Sequence, residues 1–263
     1  RISLAGDWKY RIGLSLKGFP PAPVSPVQSS SYPTVLFNAM VKPWTAFPIK
    51  GVIWYQGEAN VGRSEQYGDL FPALITDWRR QWRSDFPFYF VQLANFMESK
   101  EIQPDSEWAA LREAQTKALK LDQVGMAVTI DIGLADDIHP KNKQEVGRRL
   151  ALVALAGSYG KNVSSSAPVF QNYIIKGNKM ELDFGQKQDG FQIKGTTLKG
   201  FTIAGPDRVF YPAEAMVHDG KIILSSTEVP APLAARYGWA DNPDCNLYGE
   251  NGLPVAPFRT DCW

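Results

Sequence analysis

From residue 50 onward, apolar positions recur with two alternating periods. Residues 50–55 (KGVIWY) form a short run of apolar, β-branched and aromatic residues ending in Gln-Gly, as expected of a buried strand. Over 64–83, Tyr67, Leu70, Phe71, Leu74, Ile75, Trp78 and Trp82 recur at steps of three and four, the spacing of a helix with one apolar face. Ser64 is placed to cap that helix, and Pro72 interrupts its pattern. Residues 86–93 (FPFYFVQL) predict a second strand, and 107–121 (EWAALREAQTKALKL) a second helix made of strong helix formers. A third strand is expected over 125–132 (GMAVTIDI). A third helix follows over 141–159, with Gly157 and Gly160 as its stop signals.

Strand and helix alternating three times predict an α/β fold, a parallel sheet with helices on its faces. Sites in such sheets lie beyond the carboxyl ends of the strands. That rule selects three segments: 56–60, 94–96 and 131–140. After Pro168 the helical period is lost. Short alternating segments (VFQNYIIKG, KMELDFG, GFTIAG, GKIILSS) are separated by Gly-Asn, Gln-Lys-Gln-Asp-Gly and Asp-Gly turns, so 168–263 is expected to be β-rich, with an irregular tail from Pro230. Residues 1–35, rich in Pro and Ser at 15–35, are expected to be an irregular connecting segment, and 36–167 the α/β core.

Composition removes several classes of function. With 28 basic and 27 acidic side chains the formal charge is +1, which excludes the clustered positive excess of a nucleic-acid binder. No apolar run approaches the length of a membrane-spanning helix. The chain starts at Arg1, and RISLAGDWKY lacks the layout of a signal peptide, so a fragment or processed product is expected. Cys245 and Cys262 permit one disulfide, or stand as two free thiols.

The chemistry has few candidates. Of the two histidines, His218 precedes an Asp-Gly hairpin turn and is expected to be an exposed turn residue. His139 lies in a strand-end loop with Asp136 three residues before it. A carboxylate there can hold Nδ1 and stabilise the imidazolium. Gln56-Gly57-Glu58-Ala59-Asn60 combines amide donors, a carboxylate and a glycine at a strand end, which fits either an oxyanion hole or an ordinary polar turn. The positions of His and Cys match no zinc spacing, so no metal site is expected. There is no nucleotide-binding glycine motif, no GxSxG elbow and no convincing nucleophilic serine. A glycosidase built on Asp136 and Glu58 would need the two carboxylates about 5–10 Å apart across a cleft, and would have no need of the histidine. A non-catalytic carbohydrate-binding or structural fragment is the alternative from another class.

GVIWYQGEAN, FPFYFVQLANF, WAALREAQ, GMAVTIDIGLADDIHPKNKQEVGRRLAL and RYGWADNPDCNLYGENGLPVAPFRTD together resemble the sialate O-acetylesterase family of the SGNH/GDSL hydrolase superfamily, over nearly the whole chain. The resemblance implies a three-layer SGNH-type sheet and a carbohydrate O-acetylesterase. It also implies O-acetylated sialic acid or a related carbohydrate as substrate, no cofactor, no nucleic-acid or membrane partner, and an extracytoplasmic location. Its Asp-x-x-His block falls on Asp136 and His139, implying His139 as general base and Asp136 as its orienting partner, with Asp137 as an adjacent alternative. Its QGE block falls on Gln56, Gly57 and Glu58. Either Gln56 supplies an oxyanion donor, with Asn60 nearby, or Glu58 acts as a second acid supporting the histidine. The family's Gly-Gln-Ser-Asn nucleophile block does not occur here. The serine is therefore expected on an N-terminal segment or partner chain, and the present chain is expected to be inactive alone.

Overall fold

The computed structural model describes residues 32–185 and 190–263. The first of two compact units, Arg1–Ala46, is described from residue 32, where Phe37–Val41 and Lys42–Trp44 form two short helical turns. The expected irregular segment over 1–35 lies almost wholly outside the described residues. The second unit is Phe47–Trp263.

In the second unit, β1 (Val52–Trp54), β2 (Phe88–Val91) and β3 (Val124–Ala127) form a parallel sheet in that order. Helices α1 (Ser64–Trp82), α2 (Glu107–Thr116) and α3 (Lys143–Gly157) connect and cover it. The central strand shows how the layers arise. Phe88 and Phe90 face α1 and α2, packing among Tyr67, Phe71, Ile75, Trp108 and Leu111. Tyr89 and Val91 alternate to the other face, against Val146, Leu150 and Val153 of α3. Both faces are buried, so all four residues of β2 are apolar.

Local chemistry sets the element ends, with some departures from the sequence pattern. Ser64 is the first helical residue and caps nothing; α1 runs on through Pro72 and stops where Arg83 turns left-handed (φ 54). Ser106 Oγ caps α2 by accepting from the Ala109 N–H at 3.0 Å, and Asn142 Oδ1 caps α3 through the Glu145 N–H at 3.1 Å. Among the described residues the strand expected to be buried over 50–55 stands at the edge of the sheet, with Ile53 69% exposed on the face opposite α1. The third strand ends at Ala127, which leaves 128–142 as a long loop.

The remainder is antiparallel. One four-stranded sheet joins β4 (Asn172–Lys176), β5 (Lys179–Asp183), β9 (Glu214–His218) and β10 (Lys221–Ser225). Asp219 and Gly220, both at positive φ, make the two-residue turn between the last two. The Gln-Lys-Gln-Asp part of another expected turn, 186–189, lies outside the described residues. A second four-stranded sheet joins β7 (Phe201–Ala204), β8 (Phe210–Pro212), β11 (Ala234–Tyr237) and β13 (Phe258–Arg259). A third, smaller sheet pairs β6 (Phe191–Ile193) with β12 (Leu247–Gly249). The tail from Pro230, expected to be irregular, thus supplies three strands, two of them fully buried. Both cysteines are free; burial pushes the Cys245 thiol up to about 12.

Candidate active site

The three segments selected by the strand-end rule meet at one end of the parallel sheet. Phe96 and Leu134 form a parallel bridge just past β2, and the Met97 N–H donates to the Ala135 carbonyl at 3.1 Å. The segment beyond β1 and the loop beyond β3 share an open cleft of about 330 Å³, lined by Tyr55, Gln56, Glu58, Ala59, Ile138, His139, Pro140 and Lys143.

Gln56 is spent on organisation. Its Nε2 donates to Asn60 Oδ1 at 2.8 Å. Its Oε1 and its carbonyl accept from the Tyr67 hydroxyl at 3.3 and 3.2 Å, and the carbonyl also accepts from Gln115 Nε2. Because Asn60 Oδ1 is taken as an acceptor, the carboxamide is oriented and Asn60 Nδ2 is left as a donor without an acceptor among the described residues. Gly57 is buried, and a Cβ there would lie 3.2 Å from both Gln115 Nε2 and Leu93 Cδ2. The next three residues, Glu58–Asn60, form one 3₁₀ turn that sets the Glu58 carboxylate at the cleft. The Tyr55 phenol is pushed up to about 12, by burial first and the Glu58 charge second, so it remains protonated. The Lys143 ammonium sits 4.9 Å over the Tyr55 ring.

The histidine's carboxylate partner differs from the one its spacing suggests. Asp137, not Asp136, approaches His139: its Oδ1 accepts the His139 backbone N–H at 2.9 Å and lies 3.6 Å from Nδ1. The physical reason is the two-residue Asx turn, in which a carboxylate bonds the backbone two positions on and so ends beside that residue's side chain. Asp136 is exposed and makes no ion pair with the ring. The His139 side chain is 86% exposed, and the 3.6 Å separation is longer than a hydrogen bond. Glu58 lines the same cleft without ion-pairing the ring. His218 ends β9, with its side chain 67% exposed, as a turn residue should. Among the described residues no cluster of three His, Cys, Asp or Glu side chains could hold a metal.

Sequence reasoning missed the supports beneath this cleft. Arg112, fully buried on α2, donates to the carbonyls of Leu93, Ala94, Ala240 and Asp241 at 2.7–2.9 Å. Burial lowers its guanidinium to about 9, and it remains a cation at neutral pH. Its place in the apolar stripe of α2, one turn beyond Trp108, was the available signal.

A parallel sheet covered by helices on both faces, with histidine, carboxylate and amide groups gathered at its strand ends, is a three-layer α/β arrangement. The chain belongs to the carbohydrate esterase family of sialic acid-specific acetylesterases, whose model matches residues 25–156. It is 33% identical to the sialate O-acetylesterase of Pongo abelii and 32% to that of Homo sapiens, in each case over 90% of this chain and 50% of the relative. The crystal structure of a carbohydrate acetylesterase from Xanthomonas citri superposes with a TM-score of 0.82 at 46% identity, over 88% of this chain and 55% of that one. The chain thus spans about half the length of these relatives.

Proposed function

We propose that this chain contributes the general-base half of a carbohydrate O-acetylesterase site, acting on O-acetylated sialic acid or a related sugar. The observation that carries the proposal is the cleft shared by Gln56, Glu58 and His139, with Asn60 bonded to Gln56 through its Oδ1. In this mechanism a serine hydroxyl attacks the acetyl carbonyl, and His139 takes its proton. Asn60 Nδ2 and backbone N–H groups stabilise the oxyanion. His139 then protonates the departing sugar oxygen, and water, activated by the same imidazole, releases acetate. No cofactor takes part.

The serine is assigned to a part of the protein outside this chain, because the family's Gly-Gln-Ser-Asn block does not occur in it and, among the described residues, no serine lines the cleft. The open side of β1 supports that assignment. Val52–Trp54 pairs only with β2 among the described residues, which leaves its other edge open to a further parallel strand, and Ile53 is uncovered on the face opposite α1, where a further layer of chain would bury it. This chain alone should therefore show no saturable turnover of an aryl acetate. Saturable turnover, with a phosphonate probe labelling one of its own serines, would refute the split site.

Asp137 is the proposed orienting carboxylate. In the full-length protein Asp137→Asn should lower kcat by about 10²- to 10⁴-fold, through the wrong imidazole tautomer. Asp136→Asn should stay within about threefold, and Glu58→Gln should fall between them. Steady-state kinetics of the three variants decide the assignment. Equal losses at Asp136 and Asp137 would remove the distinction.

A further inference from the structure

The loop that carries Asp137 and His139 is held from outside the hydrolase core. It is anchored first at Asp131. Both carboxylate oxygens are taken by Arg149, at 2.6 and 2.9 Å, and Oδ2 also accepts from the Tyr248 hydroxyl at 3.1 Å. The second anchor is Gly133, whose N–H donates to Asn95 Oδ1 at 2.7 Å. A Cβ on Gly133 would lie 1.8 Å from the Asn95 carbonyl oxygen, so only glycine fits this approach. Asn95 is itself held: its Nδ2 donates to Asn242 Oδ1 at 2.7 Å, and Asn242 Nδ2 donates to the Met97 carbonyl at 2.7 Å.

This chain of bonds has a fixed polarity. The Gly133 N–H can only donate, so Asn95 must present its oxygen there and its Nδ2 to Asn242. Asn242 must then present its own oxygen and donate to Met97. Met97 closes the circuit by donating its N–H to the Ala135 carbonyl, two residues before Asp137. Arg112 clamps the same two segments together through the carbonyls of Leu93, Ala94, Ala240 and Asp241. The loop's two anchors thus depend on Asn242 and Tyr248, which belong to the β-rich region.

We propose that the β-rich region is part of the esterase's catalytic apparatus, in which Asn242, acting through Asn95, and Tyr248, acting through Asp131, are positioning residues for the loop of Asp137 and His139. The proposal rests on the esterase reading above, but its first test does not require activity. In this chain, Asn242→Ala should raise amide hydrogen exchange over 131–140 by about tenfold or more, as local opening becomes easier, with α1 peptides unchanged.

The second test uses the full-length protein with its nucleophile. There Asn242→Ala should lower kcat about tenfold and leave KM within about twofold, since misplacement of a catalytic group acts on the chemical step. Tyr248→Phe keeps the ring beneath the Lys194 ammonium and removes only the hydroxyl. It should lower kcat about threefold without a change in Tm. Asn95→Ala combined with Asn242→Ala should cost no more than Asn95→Ala alone, because the two act in series.

Unchanged exchange over 131–140 in Asn242→Ala, or a raised KM with kcat retained, would overturn the proposal. Should Asn242→Ala fail to fold, unchanged kcat in Tyr248→Phe would overturn it equally. If the parent full-length protein hydrolyses no acetyl ester, the esterase reading fails while the exchange result still decides the loop's anchoring.

Discussion

In the full-length protein, His139→Ala is expected to lower kcat by about 10⁴-fold or more. Members of a nucleophile–base unit fail together, and what survives comes from the oxyanion donors and binding alone. KM should change little, because the imidazole acts on a proton in flight rather than on the bound sugar. His218→Ala is the internal control and should keep kcat within about threefold, since its side chain lies on an exposed hairpin. The measurement is steady-state hydrolysis of an acetylated sugar by both variants. Comparable losses at the two histidines would sink the assignment.

The largest stability effect is expected at Arg112. Arg112→Ala removes a fully buried side chain and the donors to four carbonyls. Two of these keep a partner: Ala94 still accepts from Trp108 Nε1, and Asp241 from the Phe96 N–H. Leu93 and Ala240 lose theirs. A large cavity plus two orphaned acceptors should cost about 3–5 kcal/mol. At about 2–4 °C per kcal/mol for a body of this size, Tm should fall by about 10 °C. Arg112→Lys should recover little of this, because one ammonium cannot span the fork. Urea and thermal unfolding of the lone chain measure both. A loss under 1 kcal/mol would mean that water replaces the guanidinium.

What could be read from the sequence, and what could not, follows from which physical signals are local. β1 to β3 and α1 to α3 were legible because Tyr67, Phe71, Ile75 and Trp78 keep a helical period, and because FYFV is apolar on both faces. β11 was not legible. Ala234, Ala235, Arg236 and Tyr237 carry no alternation, and Arg236 is tolerated in a buried strand only because Asp261, from the far end of the chain, pairs with it at 2.7 and 2.9 Å. The site divides in the same way. Gln56, Glu58 and His139 stand at strand ends, where the rule for parallel sheets looks. Asp136 stands at the three-residue spacing of a side chain folding back, with Asp137 as the adjacent alternative, and which of the two the loop turns toward His139 depends on a backbone N–H that bonds the Asp137 carboxylate and leaves no mark in the sequence. Asn95 stands in a segment that the strand-end rule selects, but its bond to Asn242 left no mark in the sequence, since two asparagines 147 residues apart have no period to share.

That separation bears on how the molecule comes into being. The Asn95–Asn242 bond spans 147 residues and the Asp131–Tyr248 bond 117, so closing them requires very long loops of chain. Contacts this remote in sequence raise the contact order and slow folding. On the ribosome, the helices and strands of the α/β core can pack while the rest is still being made, since domains form as units during synthesis. The histidine loop must wait until Asn242 and Tyr248 have left the exit tunnel. Order in the His139 loop would then be the last property the nascent chain acquires, after compactness, and ribosome-stalled chains ending before Asn242 would be folded in the core yet slack over 131–140.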